Sequence, residues 1–251
     1  EVSLKAQEQG MKSTYVTTML DTRYYAFAAK ADIKSVADLK GKTVFASTPG
    51  SASYTFCVAI LEEAGLEVGK DVTLVTMDKG AVIAALDKGE VQAGFVNADN
   101  FKEADQIDGL HYLVDTRKTK DASKYLRNDS FPAEVILCTT KYKDAHPKQV
   151  QAFVNATCKG INWLQENSSE EAAKVIGELF PGMTKEIIAE KIELMRGAFS
   201  KNGYISKDGE QAVLDFCKRS GIIAKDMPYE DVVDMSFLDN AIKAGIVQPN
   251  K

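Results

Sequence analysis

Between Thr43 and Val96 the sequence alternates short β-branched runs with helical patterns, and that alternation limits the fold more than any other feature of the chain. Thr43 to Ser47, Val72 to Thr76 and Val91 to Val96 read as strands. Cys57, Ile60, Leu61 and Ala64 recur at helical spacing after the first strand, with Gly65 as the stop. Ala81 to Lys88, closed by Gly89, is the helix after the second strand. Strands joined through helices in this order call for right-handed crossovers and a parallel sheet. The expected class is α/β.

Within that pattern, Lys40 to Tyr54 runs from a turn through a strand and a small-residue loop into a helix start. Unpaired backbone N–H groups and the positive end of the helix dipole favour an anion there. Two readings stay open. Ser51 and Ser53, with the N–H groups of Ala52 and Ser53 and the neighbouring Tyr54, can hold a polar or anionic group. Equally, Ser51 or Ser53 can be an ordinary N-cap with Gly50 serving a turn, which is what local sequence alone favours. Asn97 and Asp99 follow a strand at its carboxyl end, where α/β folds bind ligands, and either line a site or cap the short helix that follows.

Outside this region, residues 2 to 9 read as helix, and Ser13 to Thr18 and Tyr24 to Ala29 as strands. Ser35 with Asp38 resembles a capping box, Leu110 to Val114 is extended, and Arg117 to Asn128 reads as a solvated polar excursion. Ala133 to Thr139 returns to a strand pattern and is expected to pair with the early strands at Ser13 and Tyr24. From Pro147 onward the chain reads almost entirely as helix. The expected organisation is a first lobe of residues 1–30 with 129–251, interrupted by a second lobe of residues 31–128, with a small-ligand cleft between them. Thr18, Tyr24 and the Phe131-Pro132 pair fall near the crossings, where they can close over a ligand or serve only packing and hinge rigidity.

At 251 residues, a net charge of −5 gives no electrostatic footprint for nucleic acid, and no apolar run reaches the roughly 20 residues that span a bilayer. Cys57, Cys138, Cys158 and Cys217 never form a Cys-x-x-Cys pair, which argues against a zinc site and a dense disulfide framework and for small buried side chains. His111 and His146 have no nucleophile or carboxylate at motif spacing. The expectation is a monomeric binding protein without metal, cofactor or catalytic residues.

Several stretches carry a family likeness. Ile33-Lys34-Ser35-Val36-Ala37-Asp38-Leu39-Lys40-Gly41-Lys42-Thr43-Val44, Thr48-Pro49-Gly50-Ser51, Ala85 to Gly94, Ala145 to Phe153, Ser220 to Asp226 and Asp234 to Ala241 together resemble the type II periplasmic substrate-binding proteins of ABC importers. The branch is the one with nitrate, sulfonate, taurine and thiamine-pyrimidine binders. The resemblance implies a two-lobed periplasmic-binding-protein fold with a helical C-terminal portion. It also implies an extracytoplasmic receptor, periplasmic or tethered as a lipoprotein, that closes by hinge motion and presents a small ligand to a membrane permease. Under it, Ser51 to Tyr54 becomes one wall of the cleft. Against the family pattern, the sequence begins after the first strand, helix and second strand. Val96-Asn97-Ala98-Asp99-Asn100 also stands where relatives often have an aromatic residue, an acid and a proline. Two rivals are a ligand-sensing domain of a signalling protein and a pyrimidine-synthesising enzyme on the same scaffold, which would need a cysteine-rich metal motif with catalytic His and Lys.

Overall fold

Strands form where the sequence concentrates small, aromatic and β-branched residues, and in the computed structural model, which describes residues 1–77 and 79–248, seven are present. They are β1 (Ser13–Leu20), β2 (Ala26–Ala29), β3 (Thr43–Phe45), β4 (Thr73–Val75), β5 (Ala93–Val96), β6 (His111–Asp115) and β7 (Glu134–Thr139). The chain is α/β and divides into two compact units. One comprises Glu1–Lys5, Tyr24–Asp129 and Leu214–Lys225; the other comprises Ala6–Arg23, Ser130–Val213 and Asp226–Lys251.

The first unit is built on a five-stranded sheet in the order β4-β3-β5-β2-β6. β3 runs parallel to β4 and β5, as the alternation requires, but β2 is antiparallel to both β5 and β6. The sheet is therefore mixed rather than parallel throughout. The fully buried β2 run Ala26-Phe27-Ala28-Ala29 fits a central position, covered on both faces. Phe45 stacks on Phe95 with ring centroids 5.3 Å apart, and Tyr25 meets the edge of Phe56 at 5.5 Å. Phe56 belongs to the Ala52–Glu63 helix, which is buried from Thr55 through Leu61. Each fully buried Phe, Val, Ile or Leu there contributes about 1.5–3 kcal/mol relative to exposure. Gly94 is needed for this contact, because a Cβ at that position would lie 3.0 Å from the Cβ of Phe45. Gly94→Ala is expected to lower stability by about 1–2 kcal/mol, read from urea denaturation; an unchanged midpoint would show that the β3–β5 spacing yields freely.

In the second unit β1 and β7 form an antiparallel pair, with Ser13 opposite Thr139 and Leu20 opposite Glu134. Around it Val16, Val150, Val154, Cys158 and Leu238 form a buried cluster, which the long Pro147–Glu166 helix supplies from one apolar face. The Ser169–Ile176 and Lys185–Met195 helices pack through Ala172, Ala173, Ile188, Ala189 and Ile192. Ser168 and Thr184 cap them, accepting from the N–H groups of Glu171 and Ile187.

Three expectations change. The strand near Tyr24 pairs with β5 and β6, not with β7, so residues 24–30 fall in the unit that holds 31–129. Leu214–Lys225 also belongs to that unit, and Glu1–Lys5 with it. Finally, the polar stretch after Arg117 contains a helix, Thr119–Leu126, because Ala122, Tyr125 and Leu126 share one face and are buried. Among the described residues no helix is long and apolar enough to cross a membrane.

Candidate functional site

Because β3, β4 and β5 are parallel and β2 runs against β5 and β6, one edge of the sheet collects four carboxyl ends and the start of β2. Side chains stitch this edge together. The Thr76 hydroxyl donates to the Ser47 carbonyl at 2.8 Å, and the Ala46 N–H to the Val75 carbonyl at 3.1 Å. Thr116 Oγ1 donates to the Tyr25 carbonyl at 2.8 Å and accepts from the Tyr25 N–H at 3.1 Å. Ser47, directly after β3, is buried at φ +63°, a left-handed conformation that costs a non-glycine residue about 1 kcal/mol or more. Such strain at a strand end turns the loop sharply toward the following helix.

Seven of the nine residues selected from sequence lie along this edge. Ser51 is the N-cap of the Ala52–Glu63 helix: its hydroxyl accepts from the Tyr54 N–H at 3.2 Å, and its carbonyl takes the Thr55 N–H and hydroxyl. The capping reading of Ser51 is thus realised. It leaves the N–H groups of Ala52 and Ser53, which have no acceptor inside the first turn, at the positive end of a helix with no acid in that turn. Ser53 Oγ lies 3.2 Å from Ser51 Oγ, so the two hydroxyls stand side by side. Tyr54 is half-buried in the same turn, and Tyr24 half-buried just ahead of β2.

Asn97 and Asp99 follow β5. The side-chain Oδ1 of Asn97 accepts the Asp99 N–H at 3.0 Å, and Asn100 Oδ1 accepts the Asn97 N–H at 2.9 Å. The turn is closed by its asparagines, leaving Asp99 exposed at its crest. Thr18 and Phe131 belong to the other unit. The Thr18 hydroxyl donates to the Leu20 carbonyl on its own strand and to the Glu134 carbonyl across the β1–β7 pair, and Phe131 is fully buried under the Arg23 guanidinium, 5.2 Å from the ring centroid. Both have a structural use where they stand.

Sequence reasoning passed over Ser47, Thr76, Thr116 and the pair Asp115–Arg117 at the same edge. Arg117 grips Asp115 through Nε and Nη2, each at 2.8 Å, and lies 3.8 Å over the Phe101 ring. Burial opposes the Arg117 charge, but the Asp115 carboxylate overrides it and holds the guanidinium above its ordinary range. The signal was available: acid and base two residues apart at a strand end.

A groove of about 580 Å³ takes in Asp99 and Asn100 but none of Ser51 to Tyr54. Its polar rim is acidic, with Asp87, Asp99 and Glu103, which disfavours an anion there. Among the described residues no three of His, Cys, Asp and Glu converge closely enough to hold a metal ion. The four cysteines are free thiols, and burial pushes Cys57, Cys138 and Cys158 above the ordinary thiol range.

A family model described as NMT1/THI5 like matches residues 1–171. A protein of Bacillus subtilis (strain 168) that carries the name aliphatic sulfonates-binding protein is 26% identical over 176 residues, 69% of this chain and 49% of the relative. Over that match the chain spans about half the length of the curated relative. Among solved structures, the periplasmic sulfonate-binding protein SsuA of Methylobacillus flagellatus KT aligns with a TM-score of 0.71 at 16% identity, covering 99% of this chain and 75% of that one. The desulfurization enzyme DSZB aligns with a TM-score of 0.60 at 14% identity, covering 94% of this chain and 80% of its own. At these identities the structural likeness is one of fold.

Proposed function

Because this chain belongs to the NMT1/THI5-like family, whose model matches residues 1–171, we propose that it is an extracytoplasmic solute-binding receptor that holds a small anion and delivers it to an ABC importer permease. The observation that carries the reading is the start of the Ala52–Glu63 helix. Two hydroxyls and two N–H groups without helical acceptors meet there at a positive dipole end with no acid in the first turn. A sulfonate or similar oxyanion matches those donors. Tyr24, Asn97 and Asp99 are assigned to the rest of the binding edge, where they sort ligands by what surrounds the anionic group. Thr18 and Phe131 are assigned to support rather than contact.

No bond is made or broken in this reading. The sulfonate-binding name of the B. subtilis relative supports it. So do the raised thiols, since a thiol held protonated by burial is a poor nucleophile. The fold of DSZB keeps an enzyme as the reading to be tested against.

The test is thermal unfolding and calorimetry against alkanesulfonates, taurine, nitrate, sulfate and pyrimidines. A true ligand stabilises the folded state by about 2.7 kcal/mol at a hundred times its Kd. Ser51→Ala is expected to weaken binding about tenfold and to cost about 1 kcal/mol of stability through the lost cap. Ser53→Ala should weaken binding with a smaller loss of stability, because the cap stays. If no compound in the panel shifts the unfolding midpoint, the anion receptor reading fails; consumption of a bound compound would favour the enzyme.

A further inference from the structure

The Ala52–Glu63 helix begins at the Ser51 cap and ends at Ala64, and β6 runs from His111 to Asp115, so the two ends of the first unit's sheet lie a 12-residue helix apart, about 18 Å. At the end away from Ser51, the helix stop, the start of β6, the short Val36–Leu39 helix and the Thr119–Leu126 helix surround a hollow of about 450 Å³. That volume suits a small molecule. The hollow shares no lining residue with the acidic groove or with Ser51 to Tyr54.

Val36, Ala64 and Leu113 give it an apolar wall, and Lys34, Lys124 and His111 give it nitrogen. The carboxylates on the four surrounding elements are already engaged. Glu63, the one acid in the lining, is 3.0 Å from Arg127 and 3.7 Å from Arg219. Asp38 accepts the N–H groups of Lys34 and Ser35 at 2.9 and 2.8 Å, Asp121 accepts the Asp115 N–H at 2.8 Å, and Asp115 is gripped by Arg117. Glu62 has its carboxyl raised by burial against the pull of Arg219. Asp32, two residues ahead of Lys34, does not line the hollow.

The cations are the reverse. Among the described residues neither lysine has an ion pair: Lys34 donates to the Ala31 carbonyl and Lys124 to the Tyr125 hydroxyl at 3.2 Å, while Glu63 and Asp121 act on Lys124 only at longer range. The His111 ring has no hydrogen-bond partner among the described residues. At the helix stop the N–H groups of Ala64, Gly65 and Leu66 turn back onto the Ile60, Leu61 and Glu62 carbonyls, which takes up much of the negative end of the dipole. The charges left without a partner are thus positive, and they stand beside an apolar wall. We propose that this hollow is a second ligand site, for a small organic anion with a carboxylate on an apolar body: Lys34 and Lys124 take the carboxylate, and Val36, Ala64 and Leu113 take the body. Whether the helix start at Ser51 holds a ligand does not bear on it.

The probe is 4-formylbenzoate, a carboxylate on a ring with an aldehyde opposite. One lysine holds the carboxylate while the other condenses with the aldehyde, losing water, and borohydride reduces the imine to a secondary amine that peptide mass spectrometry locates. With limiting reagent, Lys34 and Lys124 are expected to take at least about tenfold more label than the mean of the other lysines, the effect of one charge-assisted contact. The Tyr125 hydroxyl holds the Lys124 amine above its ordinary range, which by itself slows condensation, so a preference there reports binding. An excess of 4-methylbenzoate, which has no aldehyde, should abolish the preference. Lys124→Gln should remove it at Lys34, and Lys34→Gln at Lys124; both side chains are exposed, so neither change should move the melting temperature. Ser53→Ala should leave the pattern unchanged. Label spread evenly over the lysines overturns the proposal, as does a preference that survives the competitor and both lysine substitutions. So does a preference lost with Ser53→Ala, which would place the probe at the helix start.

Discussion

Replacing Glu210 with glutamine is expected to remove a fall in stability that the natural chain undergoes between about pH 5 and about pH 8. Glu210 lies on the Lys207–Arg219 helix with 1% exposure, and neither carboxylate oxygen has a hydrogen-bond partner among the described residues. Burial pushes its carboxyl from 4.5 up to about 8. Over that interval the folded chain keeps a proton that the unfolded chain has released. The stabilisation is therefore complete below the unfolded value and lost as pH rises through the folded one. The full displacement corresponds to at most about 5 kcal/mol, of which about 3 kcal/mol is gone by pH 7. Urea denaturation of both proteins at steps across this range measures the difference. Parallel stability curves would show that the carboxyl is hydrated or paired in solution.

The place of Glu210 on its helix works in favour of the charge. It sits in the first turn of its helix with Asp208, where a negative charge meets the positive dipole end, and Ser206 accepts the Gly209 and Glu210 N–H groups through its hydroxyl and carbonyl. A dipole contact at a helix start is worth about 0.3–1 kcal/mol, and up to about 2 when partly buried. That is too little to offset the desolvation of an unpaired carboxylate, so the pH dependence keeps the sign that burial gives it.

The alternation from Thr43 to Val96 was legible because each element is decided locally, by β-branched runs, helical spacing and the stops Gly65 and Gly89, both at positive φ. Strand pairing is not a local property. The run Ala26-Phe27-Ala28-Ala29 is apolar at every position, so no alternation says which neighbour it takes or in which direction, and the structure places it between β5 and β6. The helix at Thr119–Leu126 was hidden for the opposite reason: three apolar positions among charged ones make a narrow stripe that composition obscures. At the proposed binding edge, the cap at Ser51 could be read from the small-residue loop before a helical pattern. Positive φ at Ser47 could not, since only the closing of the strand onto the helix imposes it. Asn97 illustrates a true ambiguity, because the side chain that could meet a ligand already accepts the Asp99 N–H.

Gly203→Ala is the other large effect expected, on the order of 3 kcal/mol of destabilisation. Gly203 has φ +81°, and a Cβ there would lie 2.3 Å from Thr17 Oγ1. Its carbonyl accepts the Thr17 hydroxyl at 2.8 Å and the Thr18 N–H at 3.0 Å, so the chain ahead of the Lys207–Arg219 helix is fastened to β1 at this residue. Backbone strain accounts for about 1 kcal/mol, and a buried hydroxyl driven from its acceptor for about 1–3 kcal/mol more. Removing the obstructing group changes the arithmetic: in a Thr17→Ala background, Gly203→Ala should cost only the strain. A double-mutant cycle in urea is therefore expected to be non-additive by about 2 kcal/mol, whereas additivity would mean that the loop shifts away from β1 without resistance. Because Thr18 shares the same carbonyl, the cycle also tests its role. If Thr18 only supports the strand pair, Gly203→Ala weakens the fold but leaves the ligand affinity of the folded fraction unchanged; a parallel loss of affinity would assign Thr18 to the binding site.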